Sequence, residues 1–392
     1  NLFVDEAIYY DHIGDTVTAS SIHNGLMPQS LSARYNLDTF EHVESAKSSS
    51  CSRIFWARSH SEDLVPPGNA DKNRNTIFTR KEKNCPPEFL DILEDGSFVY
   101  NGMDKLFVDR RNVRIKDHSD INSYLSQRLA GSVSATATRL DGLTVLLVAR
   151  NANNFYHWHF DILPVLAMLE ACGVGVSQID NIVVAGKPTR FQLDMLSALG
   201  VHEDQLYRAE PGYQHVVCDR LVMPRIHNSM GLRQPRKHID WLRGKYLPKA
   251  TGQSATAKKI AIMREQRGFD NQPEVEARLQ AAGYESVFPE RLSYTRQVET
   301  FANATHIVSP HGAALSLLAY CRPGTVVHEI YGEHVHPCFW SLSSTLGLKY
   351  FNYNCSAIFS EEITNGGRGL AERARKSIHV PDAVISQIIQ RQ

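Results

Sequence analysis

The stretch that decides the fold is Ser309-Pro310-His311-Gly312-Ala313-Ala314-Leu315, followed by Pro323-Gly324-Thr325-Val326-Val327-His328-Glu329-Ile330. A short apolar strand, His306 to Val308, runs into a turn marked by Pro and Gly. A helix is expected to open at about His311. Gly312, Ala313 and Ala314 are small, so the first backbone N–H groups of that helix stay uncovered. Orphan donors at the positive end of a helix dipole suit a phosphate. The next strand, Thr325 to Ile330, carries Glu329, and a carboxylate at the end of a neighbouring strand is placed to accept from ribose hydroxyls. The two segments together read as a nucleotide-diphosphate site. A second reading fits the same residues. Close helix–sheet packing alone selects Gly and Ala, and His311 alone is an ordinary residue for a helix start.

Outward from this stretch the pattern alternates strand and helix. Lys259 to Met263 reads as a strand, Pro273 to Ala282 as a helix with Pro at its first position and Gly283 at its end, Tyr284 to Phe288 as a strand, and Ser293 to Ala304 as a helix. A helix near Pro337 to Leu346, a strand Lys349 to Tyr353 and a terminal helix Asp382 to Gln390 follow. The first half alternates from Gly142 onward. Leu143 to Ala149 is a continuous apolar run, as in a buried parallel strand. A helix from about Tyr156 to Ala171, a strand Asn181 to Ala185 and a helix Phe191 to Leu199 come next, then strand-like pieces His215 to Cys218 and Arg220 to Pro224. An amphipathic helix, His238 to Tyr246, lies in a Gly-, Pro- and Lys/Arg-rich stretch that reads as the interdomain linker. Residues up to about 140 are irregular, with strand-like pieces Ser52 to Ala57, Thr76 to Thr79 and Lys105 to Val108 and a loop from Asp63 to Asn75. The expected class is α/β with two Rossmann-like domains, 1–235 and 236–380, and a terminal helix in 381–392. Ligands are expected at the carboxyl ends of the strands, between the domains.

The chain has 392 residues, with 42 Lys and Arg against 42 Asp and Glu. It is long enough for two cores. Zero formal net charge gives no electrostatic case for nucleic acid. No apolar run approaches the roughly 20 residues that span a bilayer. The seven scattered cysteines include no CxxC pair, which favours buried free thiols over a disulfide framework. Sequons at Asn303 and Asn354 fall in segments read as core, so glycosylation is not expected there. The chain begins at Asn1, so a leader, anchor or further domain removed ahead of it would change the compartment.

Two groups of residues could carry chemistry. The first is Asn153-Asn154-Phe155-Tyr156-His157-Trp158-His159-Phe160-Asp161-Ile162-Leu163-Pro164. His157 and Asp161 are four apart and share a helix face. Aromatic rings stack on sugar faces, and Asn154, Tyr156 and His159 could contact hydroxyls. Asp161 could take a proton from an acceptor hydroxyl, with His157 orienting it. A helix-start acid favoured by the dipole, beside a capped His, fits equally. A His157/His159 metal site is disfavoured, because residues two apart diverge on a helix and no third ligand is apparent. The second group is Arg264 and Arg267 after the strand Lys259 to Met263. Arginine binds phosphate bidentately and stays charged, though a solvated basic loop reads the same way. No GxGxxG follows a strand, which argues against a nicotinamide enzyme.

Taken together, residues 154–164, Arg264 with Arg267, Asn271 and Glu274, Pro289 to Ser293 with Gln297, and Pro310 to Leu315 with Pro323-Gly324 and Glu329 resemble glycosyltransferase family 61. That family includes bacterial capsular-polysaccharide enzymes, plant xylan xylosyl- and arabinosyltransferases and animal O-linked GlcNAc-transferases. The resemblance covers about 142–355. It implies a GT-B fold, a nucleotide-sugar donor on the C-terminal domain, inversion at the anomeric carbon and no metal cofactor. It implies Asp161 as base with His157 beside it, Arg264 and His311 to Ala313 on the diphosphate, and Glu329 on the ribose. Met263 stands where the family usually has Ser. The expected partners are the donor and a glycan or glycolipid acceptor, with peripheral membrane association compatible and no nucleic acid. A cytoplasmic or cytoplasmic-membrane-face setting is expected, or the secretory lumen if an anchor has been removed. A non-catalytic sugar- or nucleotide-binding module of the same fold is the alternative.

Overall fold

The computed structural model describes residues 42–43, 51–57, 60–69, 78, 80–85, 88–100, 105–108, 114–115, 137–148, 151–210, 214–225, 234–250, 258–356 and 376–391. The chain divides into two compact units, one of 1–59 with 86–227 and one of 60–85 with 228–392. Both are α/β. No helix among the described residues is long and apolar enough to cross a membrane.

The first unit is built on a mixed sheet. Gln214–Arg225 pairs in parallel with Thr138–Leu147, which pairs in parallel with Asn181–Ala185, and that strand with Leu206–Ala209. Leu143 to Val148 are all buried, as the apolar run requires. The two strand-like pieces expected at 215–224 are one strand, with a register shift between Cys218 and Arg220. The Asp219 carboxylate accepts from Gly142 N–H at 2.8 Å, and Gly142 sits at φ +82°, where a side chain would be strained.

The strand-like pieces expected at 52–57 and 105–108 are strands of this sheet, and the structure adds a strand between them that the sequence reading did not expect. Glu88–Tyr100 is a long strand running antiparallel to Gln214–Arg225, and it carries Cys51–Ala57 and Lys105–Val108 as antiparallel neighbours. Glu94-Asp95-Gly96, with Asp95 at φ +49°, reads as a turn in one dimension. In the fold it lies inside the ladder, and Leu90, Leu93, Phe98 and Val99 are buried on either side. Phe78 lies in a 3-10 element, and the rest of the strand expected at 76–79 lies outside the described residues.

The second unit carries five parallel strands in the spatial order Tyr284–Val287, Lys258–Ile262, Ala304–Pro310, Val326–Tyr331, Lys349–Asn354. Chain order is therefore 2-1-3-4-5, a doubly wound order whose switch point lies between Lys258–Ile262 and Ala304–Pro310. Helices Gln272–Ala281 and Tyr294–Ala302 match the expected spans closely. The helix expected within the linker is Arg236–Ala250, and it is part of this unit's core: Leu242 and Tyr246 are buried, and the Tyr246 ring meets Tyr294 edge-on at 5.2 Å.

Residues 60–85, expected in the first domain, belong with the second unit. Strand Lys349–Asn354 is the sheet edge, and this arm covers it. Gly68 N–H donates to the Tyr350 carbonyl at 2.7 Å, and Asn352 N–H donates to Asn69 Oδ1 at 3.2 Å. The Phe351 ring lies where a Cβ on Gly68 would stand. The buried Lys83 ammonium pairs with Glu62 at 3.1 Å and donates to Thr345 at 2.9 Å. An unpaired sheet edge invites foreign strands, and a charged, bonded arm blunts it.

Three buried histidines and the half-buried His334 weaken the fold toward acid pH. Burial pushes His159 down to about 4, and His238, His328 and His334 to about 3. The unfolded chain takes up these protons below about pH 6.5 and the folded chain only below the depressed values. Stability is therefore full above about pH 6.5 and falls as pH drops toward 4, by roughly 3 kcal/mol from His159 alone. Urea midpoints at pH 7 and pH 4.5 measure this, and equal midpoints would contradict it.

Candidate functional site

The carboxyl ends of Lys258–Ile262 and Ala304–Pro310 carry Arg264 and His311. Gly312 follows, extended at φ 168°. A Cβ there would lie 2.7 Å from Arg264 Nη1, so the guanidinium rests directly on the glycine. Arg264 is half-buried, and its guanidinium has no hydrogen-bonding acceptor among the described residues. Burial, then the neighbouring Arg267, lowers its pKa from the usual arginine value, with Glu290 acting the other way. A partly desolvated cation without a partner is costly, and an anion would relieve it. The exposed Arg267 is held left-handed at φ +55° beside it.

The element after Gly312 is a 3-10 helix, Ala313–Tyr320, in place of the expected α-helix. Its first bond runs from Leu315 N–H to the Gly312 carbonyl at 3.0 Å, so the N–H groups of Ala313 and Ala314 precede it. Residues 315–320 are all buried, and packing on every side overrides the preference for α geometry.

Glu329, expected at the ribose, is engaged within the protein. It is fully buried, and both carboxylate oxygens are engaged: Oε1 with His311 Nδ1 at 2.5 Å and Oε2 with the Tyr350 hydroxyl at 2.6 Å. Tyr350 in turn bonds Tyr331 at 3.0 Å, and Tyr331 donates to the His336 carbonyl at 2.9 Å. The contact to Glu329 fixes the orientation of the His311 ring. The ring stacks on Tyr331 at 4.9 Å and meets His334 at 5.1 Å. Sequence reasoning named His311 and Glu329 as separate contacts and missed Tyr331, His334 and Tyr350. Strand register was the available signal, because it sets Glu329 beside the 349–354 strand.

In the first unit, Asn154 caps a short helix, Phe155–His157, with Oδ1 accepting from Tyr156 N–H at 2.9 Å. That is a structural use of a side chain expected at the acceptor. A π-helix, Trp158–Ile162, follows, closed by Leu163 N–H to the Trp158 carbonyl at 3.0 Å. Pro164 starts the next helix, Pro164–Ala171, and has no N–H to restore α register. From 156 to 169 only His157 and Asp161 are not buried. His157 Nδ1 meets Asp161 Oδ2 at 2.5 Å, with side-chain exposures of 30% and 14%. Two partly open polar groups in an otherwise buried run form a window.

His159, expected at the sugar, is instead a core residue. It is fully buried, stays neutral, and donates from Nδ1 to the Phe155 carbonyl at 2.6 Å. Tyr156 is buried too and packs on Phe160 at 5.1 Å. His159 and Tyr156 point inward, and His157 and Asp161 stay partly exposed.

The acids beside the arginines are engaged. Glu265 pairs with Arg291 at 2.6 Å, and Asp270 with His379 at 2.9 Å. Among the described residues no group of three His, Cys, Asp or Glu side chains is placed to hold a metal ion. Cys172, Cys218, Cys321, Cys338 and Cys355 are free thiols. Residues 155–328 match a family model described as Glycosyltransferase 61. No curated protein matches the chain.

Proposed function

From the match of residues 155–328 to the glycosyltransferase family 61 model, we propose that the chain moves a sugar from a nucleotide-sugar donor to a hydroxyl of a glycan or glycolipid, with inversion and without a metal. The GT-B arrangement expected from the resemblance is part of this proposal, as is a role in polysaccharide or surface-glycan synthesis such as capsule formation. The observation that carries it is the Arg264 guanidinium, without an acceptor among the described residues, resting on Gly312 beside His311 at the sheet's switch point. The donor diphosphate binds there. The acceptor hydroxyl attacks the anomeric carbon as Asp161 removes its proton, with His157 orienting the carboxylate. Arg264, Arg267, His311 and the N–H groups of Ala313 and Ala314 stabilise the departing nucleoside diphosphate. Glu329 acts through His311. Thermal-shift measurements with nucleoside mono- and diphosphates test the donor site, because a bound ligand raises the melting temperature by mass action. Slow hydrolysis of nucleotide sugars separates an enzyme from a binding module.

Gly312→Ala places a methyl group against the Arg264 guanidinium. The flexible side chain swings away and the fold survives, so nucleoside-diphosphate affinity is expected to fall about tenfold, the loss of one charge-assisted contact. Calorimetry giving the unchanged affinity would separate Arg264 from the diphosphate.

Metal independence has its own outcome. Arginines and N–H donors supply the positive charge that a divalent ion would bring to the leaving phosphates. Transfer is expected to persist after exhaustive chelation. Loss in EDTA with recovery on manganese or magnesium would reverse that reading.

A further inference from the structure

The amino-terminal edge of the same five-stranded sheet holds a second concavity, of about 780 Å³, lined by His306, Arg322, Pro323, Lys349, Phe351 and Arg391 among others. It lies away from the arginines of the candidate donor site. His306 and His311 are five residues apart along one strand direction, roughly 17 Å at about 3.3 Å per residue.

Its charge is of one sign. Strand register aligns Lys259, His306, Val326 and Lys349 in one row across four strands, so these side chains leave the same face. Burial and then Lys259 and Lys349 lower the His306 pKa, which sets both ammonium groups within electrostatic reach of the ring. Arg322 adds a further cation, and no carboxylate lines the cavity among the described residues. Arg391, just past helix Asp382–Ile389, lies over the Phe351 ring at 5.1 Å. The Tyr353 hydroxyl lies near this guanidinium, yet the Arg391 Nη1 is buried without a hydrogen-bond partner among the described residues. A buried charged donor left unpaired costs more than an ordinary lost hydrogen bond. Like charges gathered around it add to that cost, and an oxyanion removes both at once.

We propose that this edge cavity is a binding site for a small multivalent oxyanion, a phosphorylated or carboxylated molecule, separate from the donor site. Arg391 and Lys349 hold the anion, Arg322 closes the rim, and His306 forms the floor.

The test is calorimetry of the full chain with pyrophosphate and, separately, citrate as probes at matched ionic strength. Arg322→Glu combined with Lys349→Glu is the diagnostic variant, because both residues are exposed and their replacement spares the core. In an Arg264→Ala background, which removes the candidate donor contact, pyrophosphate binding is expected to remain. The double charge reversal is expected to weaken it about tenfold or more, with the loss shrinking at high salt. Stronger binding of pyrophosphate identifies a phosphorylated ligand, and stronger binding of citrate a carboxylated one. The inference is overturned if the Arg264→Ala chain binds neither probe at millimolar concentration, or if the double reversal leaves affinity unchanged. Failure of the donor reading looks different: Arg264→Ala would leave every anion affinity as it was while the double reversal still abolished one.

Discussion

Arg264→Ala is expected to lower kcat/KM for sugar transfer by about 10²- to 10³-fold, the usual loss when one preorganised group facing developing charge is removed. The expectation follows from where the guanidinium stands. It is half-buried, it has no acceptor among the described residues, and Gly312 holds it at the switch point of the sheet. In the proposed reaction charge on the diphosphate grows as the glycosidic bond breaks, so a contact from Arg264 would be stronger in the transition state than in the ground state. The loss should therefore appear in kcat as well as in affinity. Arg264→Lys keeps the charge but loses the planar fork, and is expected to recover only part of the activity. Stability should hold or rise, since an unpaired, partly desolvated cation is removed. Steady-state kinetics with the donor varied, together with a melting curve, measure all three. An Arg264→Ala enzyme with wild-type kcat and KM would put the leaving group elsewhere.

Much of the second unit was legible because its strands and helices are short, regular and bounded by clear stops. The Gly283 end, the Ser293 cap and the apolar run 306–308 each announce an element locally. What was hidden depends on neighbours distant in sequence. Glu329 looks like a free acid at a strand end, but Tyr350 on the next strand takes its second oxygen. No local pattern reports that partner. Ala313–Tyr320 has the composition of an α-helix, and only full burial shows why a tighter coil is held. Residues 60–85 are polar and loop-like in sequence because their task is to cover an edge strand through backbone and amide contacts. The strand Glu88–Tyr100 was masked by Glu94-Asp95-Gly96, whose turn-like composition is overridden by pairing with Gln214–Arg225. In the first unit the spacing of His157 and Asp161 correctly put them on one face. The spacing could not reveal the π turn, within which His159 is buried in the core.

That π turn underlies the other large effect. Asp161→Asn is expected to reduce turnover by about 10²- to 10⁴-fold, the range for a lost general base, while nucleoside-diphosphate affinity stays near wild type. The side chain keeps its size, so packing around the buried Trp158, Phe160 and Ile162 is undisturbed. What changes is the charge. An amide cannot take a proton from the acceptor hydroxyl, and its bond to His157 is weaker than the 2.5 Å contact to the carboxylate. His157→Ala should cost less, because it leaves the base in place and removes only its orientation. The two units give a split that one assay reads: Asp161→Asn keeps nucleotide binding and loses transfer, whereas Arg264→Ala loses both. Slow donor hydrolysis sharpens the contrast, since water needs less help from a positioned base than a sugar hydroxyl bound in one orientation. Asp161→Asn should therefore retain a larger share of hydrolysis than of transfer. Near-normal transfer at saturating donor and acceptor would show that Asp161 is only the acid at the start of a helix. The His157 contact would then be a structural cap.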